Sequence, residues 1–296
     1  MKADGATVAE KAHKKETFAK YFPRDDFVLL FGELGFGLYT QWLSMFREHF
    51  KLHPHHNENV SVLISTPGGS ADDAFRMMRL LQNNYKEITV IILGCCYSAG
   101  TLFSLGANKI IMSEGANLGP LDVQVRREDD IARMSGESYR QALMDLSAIA
   151  QMVFRDNFTH LKQRKDILLS TPTASKIASE MAIGMVSPIV GQIEPVKLGE
   201  MMRYQLIAES YGRRLMRGIY HISDINKALG KLTSGYPSHG TVIDSKEARR
   251  LGLNVEDMDI TKYNDGCLCG FEIDMVDGNY PNETLMCIAN DKEIPE

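Results

Sequence analysis

The chain has 296 residues, 44% of them hydrophobic and 24% charged, which indicates one large domain, or one domain with appendages, built around a full core. Its formal net charge of −5 argues against a nucleic-acid binder that depends on phosphate contacts. No run approaches the ~20 apolar residues of a membrane helix, and the N-terminus lacks the apolar region of a signal peptide, so we expect a cytoplasmic protein without a membrane span.

The first half of the chain alternates between strand and helix patterns. Residues 1–24 are polar and charged, and we expect a flexible arm there. Apolar runs over 26–31, 60–65, 87–93 and 109–112 predict short buried strands, and helical spacing separates them. This βαβ alternation predicts an α/β fold with a parallel sheet, in which reacting groups gather at the carboxyl ends of the strands.

The second half has a different pattern. Residues 125–232 are helical in composition, and we predict a helical insertion between a catalytic core of 25–124 and a second core segment of 233–260. Within that segment, 240–255 returns to a strand–helix–strand pattern. The polar, partly alternating tail 261–296 predicts a small β appendage.

The cysteines do not indicate a special site. Five cysteines at irregular spacing do not form a disulfide framework. Cys267 and Cys269 have zinc-ligand character, but a Cys-x-Cys pair without a second pair is a weak signal. We therefore predict ordinary thiols, no metal and no cofactor.

A glycine turn follows the strand that ends at residue 65. Gly68 and Gly69 allow the backbone to adopt positive φ and to point its N–H groups outward, where they can stabilise an oxyanion. The alternatives are a plain strand-to-helix turn or a phosphate cradle. The turn lacks the lysine and the glycine spacing of known nucleotide-binding loops, so nucleotide binding is disfavoured.

A serine follows the next strand. Ser98 stands at the start of a helix of small residues, where Ala99 and Gly100 leave room for a substrate carbonyl. This position suits an exposed nucleophile. It also suits a serine that caps the helix, which is the commoner role at such a position.

Three segments together carry a resemblance. ISTPGGSADDAFRMMRLLQ (64–82) resembles the matching turn of the Clp protease proteolytic subunit, and CCYSAGTLFSLGANKIIMSEGANLGPLDVQ (95–124) resembles its nucleophile segment. The second segment looks closer still to the signal-peptide-peptidase-like and serine dehydrogenase proteinase families of the same superfamily. LTSGYPSHGTVIDSKEARRLGLNV (232–255) resembles the ending of the serine dehydrogenase proteinase family.

The resemblance implies a Clp/crotonase-like layered core and a serine peptidase that acts on peptides or proteins and assembles as a homo-oligomer. It implies Ser98 as the nucleophile, with an oxyanion hole made by the Ala99 N–H and the N–H of Gly68 or Gly69.

The general base departs from the family pattern. The Clp subunit places a histidine about two dozen residues after its serine, and here that position falls near Asp122, where no histidine occurs. Three alternatives remain: His239, oriented by Asp122; a lysine, Lys162 or Lys165; or no base at all. His239 ranks first because it precedes the segment that delivers the triad acid in the Clp subunit.

Two further function classes remain open. A crotonase-like acyl-CoA enzyme would share the two-amide oxyanion hole without needing Ser98, and binding of acyl-CoA would identify it. A non-catalytic peptide-binding or scaffold protein of the same fold is favoured by the missing histidine, and peptide binding without cleavage would identify it.

Overall fold

Buried aliphatic runs form the parallel strands around which the first part of the fold is built. In the computed structural model, which describes residues 25–121, 124–126, 133–164, 166–193, 195–258 and 285–289, these strands are β1 (Asp25–Phe31), β2 (Asn59–Thr66), β3 (Glu87–Cys96) and β4 (Lys109–Met112). In β2 every residue after Asn59 is buried, which is typical of a sheet covered on both faces.

The remaining strands extend this sheet. They are β5 (Asn117–Leu118), β8 (Val255–Asp257) and β9 (Leu285–Ala289). The strand order is β8–β4–β3–β2–β1–β9, with β5 paired to the end of β3. All pairs are parallel except β1 with β9. The predicted α/β fold with a parallel sheet is therefore confirmed.

Helices connect the strands in the manner that the alternation predicts. In this first part they are α1 (Leu38–Leu52), α2 (Ala71–Asn84), α3 (Ala99–Ser104), α7 (Ile222–Ser234) and α8 (Ser245–Arg250). Large side chains of the first two helices, such as Trp42, Phe46 and Met78, are fully buried in one apolar cluster with the sheet. This core keeps the carboxyl ends of β2 and β3 side by side.

Residues 123–206 form a second compact unit, whereas Met1–Asp122 and Ile207–Glu296 make up the first. The second unit contains β6 (Gln124–Arg126) paired antiparallel with β7 (Arg133–Ser135), then α4 (Gly136–Gln163) and α5 (Thr171–Val190). Helix α6 (Pro195–Met216) crosses the boundary between the two units.

The boundary differs from the insertion predicted over 125–232. Helix α7 belongs to the first unit because Ile225, Leu229 and Leu232 are buried in its core. The Leu121 N–H also donates to the Leu232 carbonyl at 2.8 Å. Helical composition cannot distinguish a core helix from a peripheral one, since the partner of its apolar face is remote in sequence.

Several predicted features lie outside the described residues: the arm 1–24, most of the tail 261–296, and the cysteines 267 and 269. The part of the tail that is described, β9, lies at the edge of the main sheet. None of the helices in the described ranges combines the length and the apolar character that a membrane crossing requires.

Candidate active site

The turn between β3 and α3 holds Ser98 in an unusual conformation. The strand ends at Cys96 and the helix begins at Ala99, so two residues reverse the chain. Ser98 has φ 50° and ψ −109°, and it is the one non-glycine residue with positive φ in the described ranges. Such a conformation costs about 1–3 kcal/mol and persists only when its surroundings enforce it. Sharp strand-to-helix turns of this kind present a serine hydroxyl as a nucleophile.

The capping interpretation of Ser98 is wrong. Its side chain accepts no hydrogen bond from α3, and its Oγ has no hydrogen-bond partner within the described residues. Ser70 makes the contrast, since its Oγ accepts from the Asp73 N–H at 3.2 Å and donates to Asp73 Oδ2 at 2.6 Å. Of these two serines, therefore, Ser70 caps a helix and Ser98 has an uncommitted hydroxyl.

The glycine turn lies directly against the serine turn. A Cβ placed on Gly68 would be 2.8 Å from the Tyr97 carbonyl oxygen and 3.1 Å from Ser98 Cβ. Gly68 also has φ 106°, which disfavours any side chain. The two turns are therefore in contact at Gly68, and only glycine fits there without displacing Ser98.

On the side away from Ser98, the backbone of the glycine turn is already hydrogen-bonded to Leu34. The Leu34 N–H donates to the Gly68 carbonyl at 2.8 Å, and the Ser70 N–H donates to the Leu34 carbonyl at 2.6 Å. Because backbone groups alternate in direction along an extended segment, the N–H and C=O of Gly69 point away from Leu34. In the sheet order, the side of β2 opposite β1 is the side of β3, where Ser98 lies.

Two backbone N–H groups beside Ser98 are uncommitted. The N–H groups of Gly69 and Ala99 donate to no acceptor in the described ranges, whereas the Gly68 N–H donates to Thr66 Oγ1 at 3.0 Å. Of the two glycines considered from the sequence, Gly69 is thus the one with a free donor. The fold brings Ser98, Gly68, Gly69 and Ala99 together.

Thr101 stabilises this arrangement, and it was not among the site residues predicted from the sequence. Its buried Oγ1 lies 2.9 Å from the Cys96 carbonyl oxygen and 2.8 Å from that of Gly119, and it accepts from the Gly119 N–H at 3.1 Å. The hydroxyl therefore links three segments: the end of β3, the start of α3, and residues 117–121, which are here called the strap. Its place three residues after the serine is the sequence signal that could have identified it.

Replacing Thr101 with valine should slow the reaction of Ser98 with a fluorophosphonate about 10-fold or more, because the strained turn loses its tether. The buried Gly119 groups would also lose their partner, at a cost of about 1–3 kcal/mol. Thr101→Ser retains the hydroxyl and should restore the labelling rate, measured by intact-protein mass spectrometry. Equal rates for the valine variant and the wild type would show that the tether does not position Ser98.

Of the two cysteines that precede Ser98, Cys96 is not an alternative nucleophile. Cys96 is fully buried, and burial raises the pKa of its thiol to about 12. Its Sγ lies 3.5 Å from Ser104 Oγ, inside the core. Since the thiolate is the reactive form, Cys96 is inert at neutral pH. Cys95 is half-buried, and its Sγ lies 3.6 Å from the Thr66 carbonyl oxygen.

His239, the first-ranked base, is half-buried in a mostly exposed turn whose two ends are held by hydrogen bonds. Tyr236 Oη donates to Glu247 Oε1 at 3.0 Å on one side. On the other side Ile243 exchanges two hydrogen bonds with Leu118, at 2.9 and 3.0 Å, and Leu118 is paired with Cys96. The turn thus belongs to a segment that touches the strap beside the nucleophile strand, but His239 makes no hydrogen bond with Ser98.

Of the other predicted proton-transfer residues, the structure describes Lys162 alone. Asp122 and Lys165 lie outside the described residues. Lys162 is exposed in the second unit, where its Nζ donates to the Leu169 carbonyl at 3.2 Å. Among the residues described, no cluster of side chains suited to hold a metal ion occurs.

Comparison with known proteins places this site within a family segment. Residues 48–142 match the model of the ClpP-like SDH-type serine proteinases, which confirms the resemblance carried by the sequence motifs. The matched range includes Ser98 and the Gly68–Gly69 turn but not His239.

Two curated relatives come from Methanocaldococcus jannaschii. The uncharacterized protein MJ0137 is 27% identical over 197 residues, which is 67% of this chain and 53% of the relative, so the chain spans about half the length of that protein. The uncharacterized protein MJ1495 is 36% identical over 66 residues, 22% of this chain and 23% of the relative.

Among solved structures, a mutant of the 1510-N membrane-bound stomatin-specific protease aligns with a TM-score of 0.32 at 16% identity, over 51% of this chain and 74% of its own. A ClpP1 mutant from Listeria monocytogenes aligns with a TM-score of 0.28 at 19% identity, over 35% of this chain and 58% of its own.

Proposed function

We propose that this chain, whose residues 48–142 match the ClpP-like SDH-type serine proteinases, is a serine endopeptidase that hydrolyses peptide bonds through an acyl-enzyme on Ser98. One observation carries the proposal. The Ser98 hydroxyl stands uncapped on a strained turn, beside two uncommitted backbone N–H groups, those of Gly69 and Ala99. A serine nucleophile with two available backbone donors nearby has the groups that acyl transfer requires for attack and for oxyanion stabilisation.

In the first step Ser98 Oγ attacks the carbonyl carbon of the scissile peptide. A C–O bond forms, the carbonyl electrons move to the oxygen, and the hydroxyl proton passes to a base. The Gly69 and Ala99 N–H groups donate to the resulting oxyanion, a stabilisation worth about 3 kcal/mol for one such donor in a well-studied peptidase. The C–N bond then breaks, and the amine leaves with the proton.

In the second step water attacks the ester that links the acyl group to Ser98. The water proton returns through the base to Ser98 Oγ, and the carboxylic acid product leaves. We propose His239 as the base, oriented by Asp122, because its turn belongs to the segment paired with the strap beside β3. Lys162 and Lys165 are the alternatives that a lysine-dependent mechanism would use.

The substrate would bind as an extended peptide along the free edge of the glycine turn. Since Leu34 occupies one edge through Gly68 and Ser70, the Gly69 carbonyl on the other edge is available to accept a substrate N–H. Strand addition of this kind recognises the backbone and tolerates many side chains. It places a substrate carbonyl within reach of Ser98.

Labelling with a fluorophosphonate tests the proposal most directly. A covalent adduct that maps to Ser98 by peptide mass spectrometry, together with cleavage of a mixed peptide library, is the expected result. Complete absence of labelling across a broad pH range would contradict it. Stabilisation by acyl-CoA without labelling would instead identify a crotonase-like enzyme.

A non-catalytic peptide-binding protein is the second candidate. It is favoured by one observation, namely that Ser98 Oγ is bonded to no base in the described residues. Retained binding of library peptides by an unlabelled protein would identify this function.

A further inference from the structure

The glycine turn that carries one of the proposed oxyanion donors does not determine its own conformation. Gly68 and Gly69 both have positive φ, at 106° and 142°. Glycine adopts such conformations about as readily as those with negative φ, so two successive glycines have little intrinsic preference for one orientation of their N–H groups. The direction of the Gly69 N–H is therefore set by contacts with other segments.

Leu34 makes the first of these contacts. Its N–H donates to the Gly68 carbonyl at 2.8 Å, and its carbonyl accepts from the Ser70 N–H at 2.6 Å. In a trans peptide the C=O and the N–H that follows it point in opposite directions, so the Gly69 N–H points away from Leu34. The packing is also close, because a Cβ on Gly69 would overlap the Leu34 carbonyl. The orientation of this donor thus depends on where Leu34 is held.

A buried carboxylate, that of Asp73, bonds to the segments on both sides of the turn. Asp73 lies in the first turn of α2 and is 5% exposed. Its Oδ2 accepts from Ser70 Oγ at 2.6 Å, at the residue directly after Gly69. Its Oδ1 accepts from the Tyr39 N–H at 2.9 Å, and the Gly37 N–H donates to Oδ2 at a longer 3.4 Å. One side chain therefore joins the start of α1 to the start of α2.

Helix α1 depends on this carboxylate because it has no cap of its own. Gly37 occupies its N-cap position and has no side chain to accept from the first N–H groups, and the first turn contains no acidic residue. These N–H groups need an acceptor and favour a negative charge, and Asp73 supplies both. Only residues 35–37 separate Leu34 from α1, so fixing the start of α1 also restricts the position of Leu34.

We propose that Asp73 is a positioning residue for the reaction at Ser98, which keeps the Gly69 N–H directed at the oxyanion by holding Ser70 on one side and the start of α1 on the other. This inference rests on the proposed peptidase function. Asp73 itself touches neither the substrate nor the reacting atoms. A carboxylate that served stability alone would leave the reactivity of the folded protein unchanged, and this difference can be measured.

Asp73→Asn tests this role, and Asp26→Asn is its matched control. Asparagine keeps the shape of aspartate but replaces one acceptor oxygen with an N–H donor group. Asp26 is also buried, and its Oδ2 accepts from Tyr85 Oη at 2.7 Å and lies 2.8 Å from His49 Nε2. It stands near the amino end of β1, whereas Ser98 follows the carboxyl end of the parallel strand β3. Calorimetry should show a lower thermal midpoint for both variants.

Labelling with a fluorophosphonate, followed by intact-protein mass spectrometry well below these midpoints, separates positioning from stability. Asp73→Asn should label about 10- to 100-fold more slowly than the wild type, because the oxyanion donor is displaced. Asp26→Asn should label at the wild-type rate. In the hydrolysis of a peptide substrate, kcat should fall by a larger factor than KM changes, because the oxyanion forms only in the reaction.

Two results would overturn the positioning role and leave the peptidase proposal intact: equal labelling rates for Asp73→Asn and the wild type, or equal slowing in Asp73→Asn and Asp26→Asn. A wild type that is not labelled at any pH would refute the peptidase proposal, and the positioning role with it.

Ser70→Ala is a second test, which serves even if Asp73→Asn does not fold. It removes the link beside Gly69 and leaves Asp73 its two donors from α1. Labelling should slow about 10-fold, whereas Ser170→Ala, which removes an equivalent cap from α5, should label at the wild-type rate. Equal rates for the two serine variants would contradict the proposal.

Discussion

Ser98→Gly is expected to abolish covalent labelling while raising the stability of the fold. At φ 50° and ψ −109° a serine raises the free energy of the folded state by about 1–3 kcal/mol, whereas glycine adopts this conformation without strain. This gain exceeds the ~0.5–1 kcal/mol by which the greater entropy of glycine stabilises the unfolded chain. Since Ser98 Oγ makes no hydrogen bond in the described residues, nothing else is lost. The thermal midpoint should rise by a few degrees, as measured by calorimetry.

Loss of the nucleophile should lower peptide hydrolysis by about 10⁴-fold or more. The proper comparison is Ser170→Ala, because Ser170 also precedes a helix but accepts from the Thr173 N–H at 3.3 Å. That variant should lose about 1 kcal/mol and keep full labelling. If Ser98→Gly were instead destabilised and still labelled at another serine, both the strain and the role assigned to Ser98 would be refuted.

Gly68→Ala is expected to separate the two turns and disable the site. The new methyl would lie 2.8 Å from the Tyr97 carbonyl oxygen, at a backbone φ of 106° that alanine disfavours. We expect a loss of about 3 kcal/mol in stability from the strain and the overlap. A displacement of Ser98 relative to the Gly69 and Ala99 N–H groups by about 1 Å should slow labelling about 100-fold.

Gly230→Ala in α7 is the control for this substitution. Its Cβ would meet no atom within 4 Å, so the variant should gain about 0.5–1 kcal/mol and label like the wild type. Urea unfolding and labelling rates measure the two effects separately. A Gly68→Ala protein that folds and labels normally would mean that the contact between the turns does not hold Ser98 in place.

Local sequence patterns were sufficient for the parallel strands and for the position of the serine and glycine turns. Strand-length apolar runs and glycines after strands are consequences of backbone sterics and burial, which act over a few residues. For the same reason the motifs of 64–82 and 95–124 carried the family resemblance that the match over 48–142 confirms.

The role of each polar group at the site could not be predicted in this way. Whether Ser98 caps α3, and whether Gly68 or Gly69 keeps a free N–H, depends on Thr66 Oγ1 and on the pairing with Leu34. Thr101 holds the turn only because the fold places Gly119, 18 residues further along the chain, within hydrogen-bond distance of its hydroxyl. The general base depends on the approach of segments still more remote, so His239 stays a prediction.

The sequence by itself therefore determined an α/β core with Ser98 and a glycine turn at neighbouring strand ends, because residue type and spacing encode backbone preference directly. Only the tertiary structure decided that Ser98 stands uncapped on a strained backbone, that the Gly69 and Ala99 N–H groups meet no acceptor among the described residues, and that α7 packs in the core. These properties arise from contacts between segments far apart in the chain, and no local pattern specifies which partner each group will find.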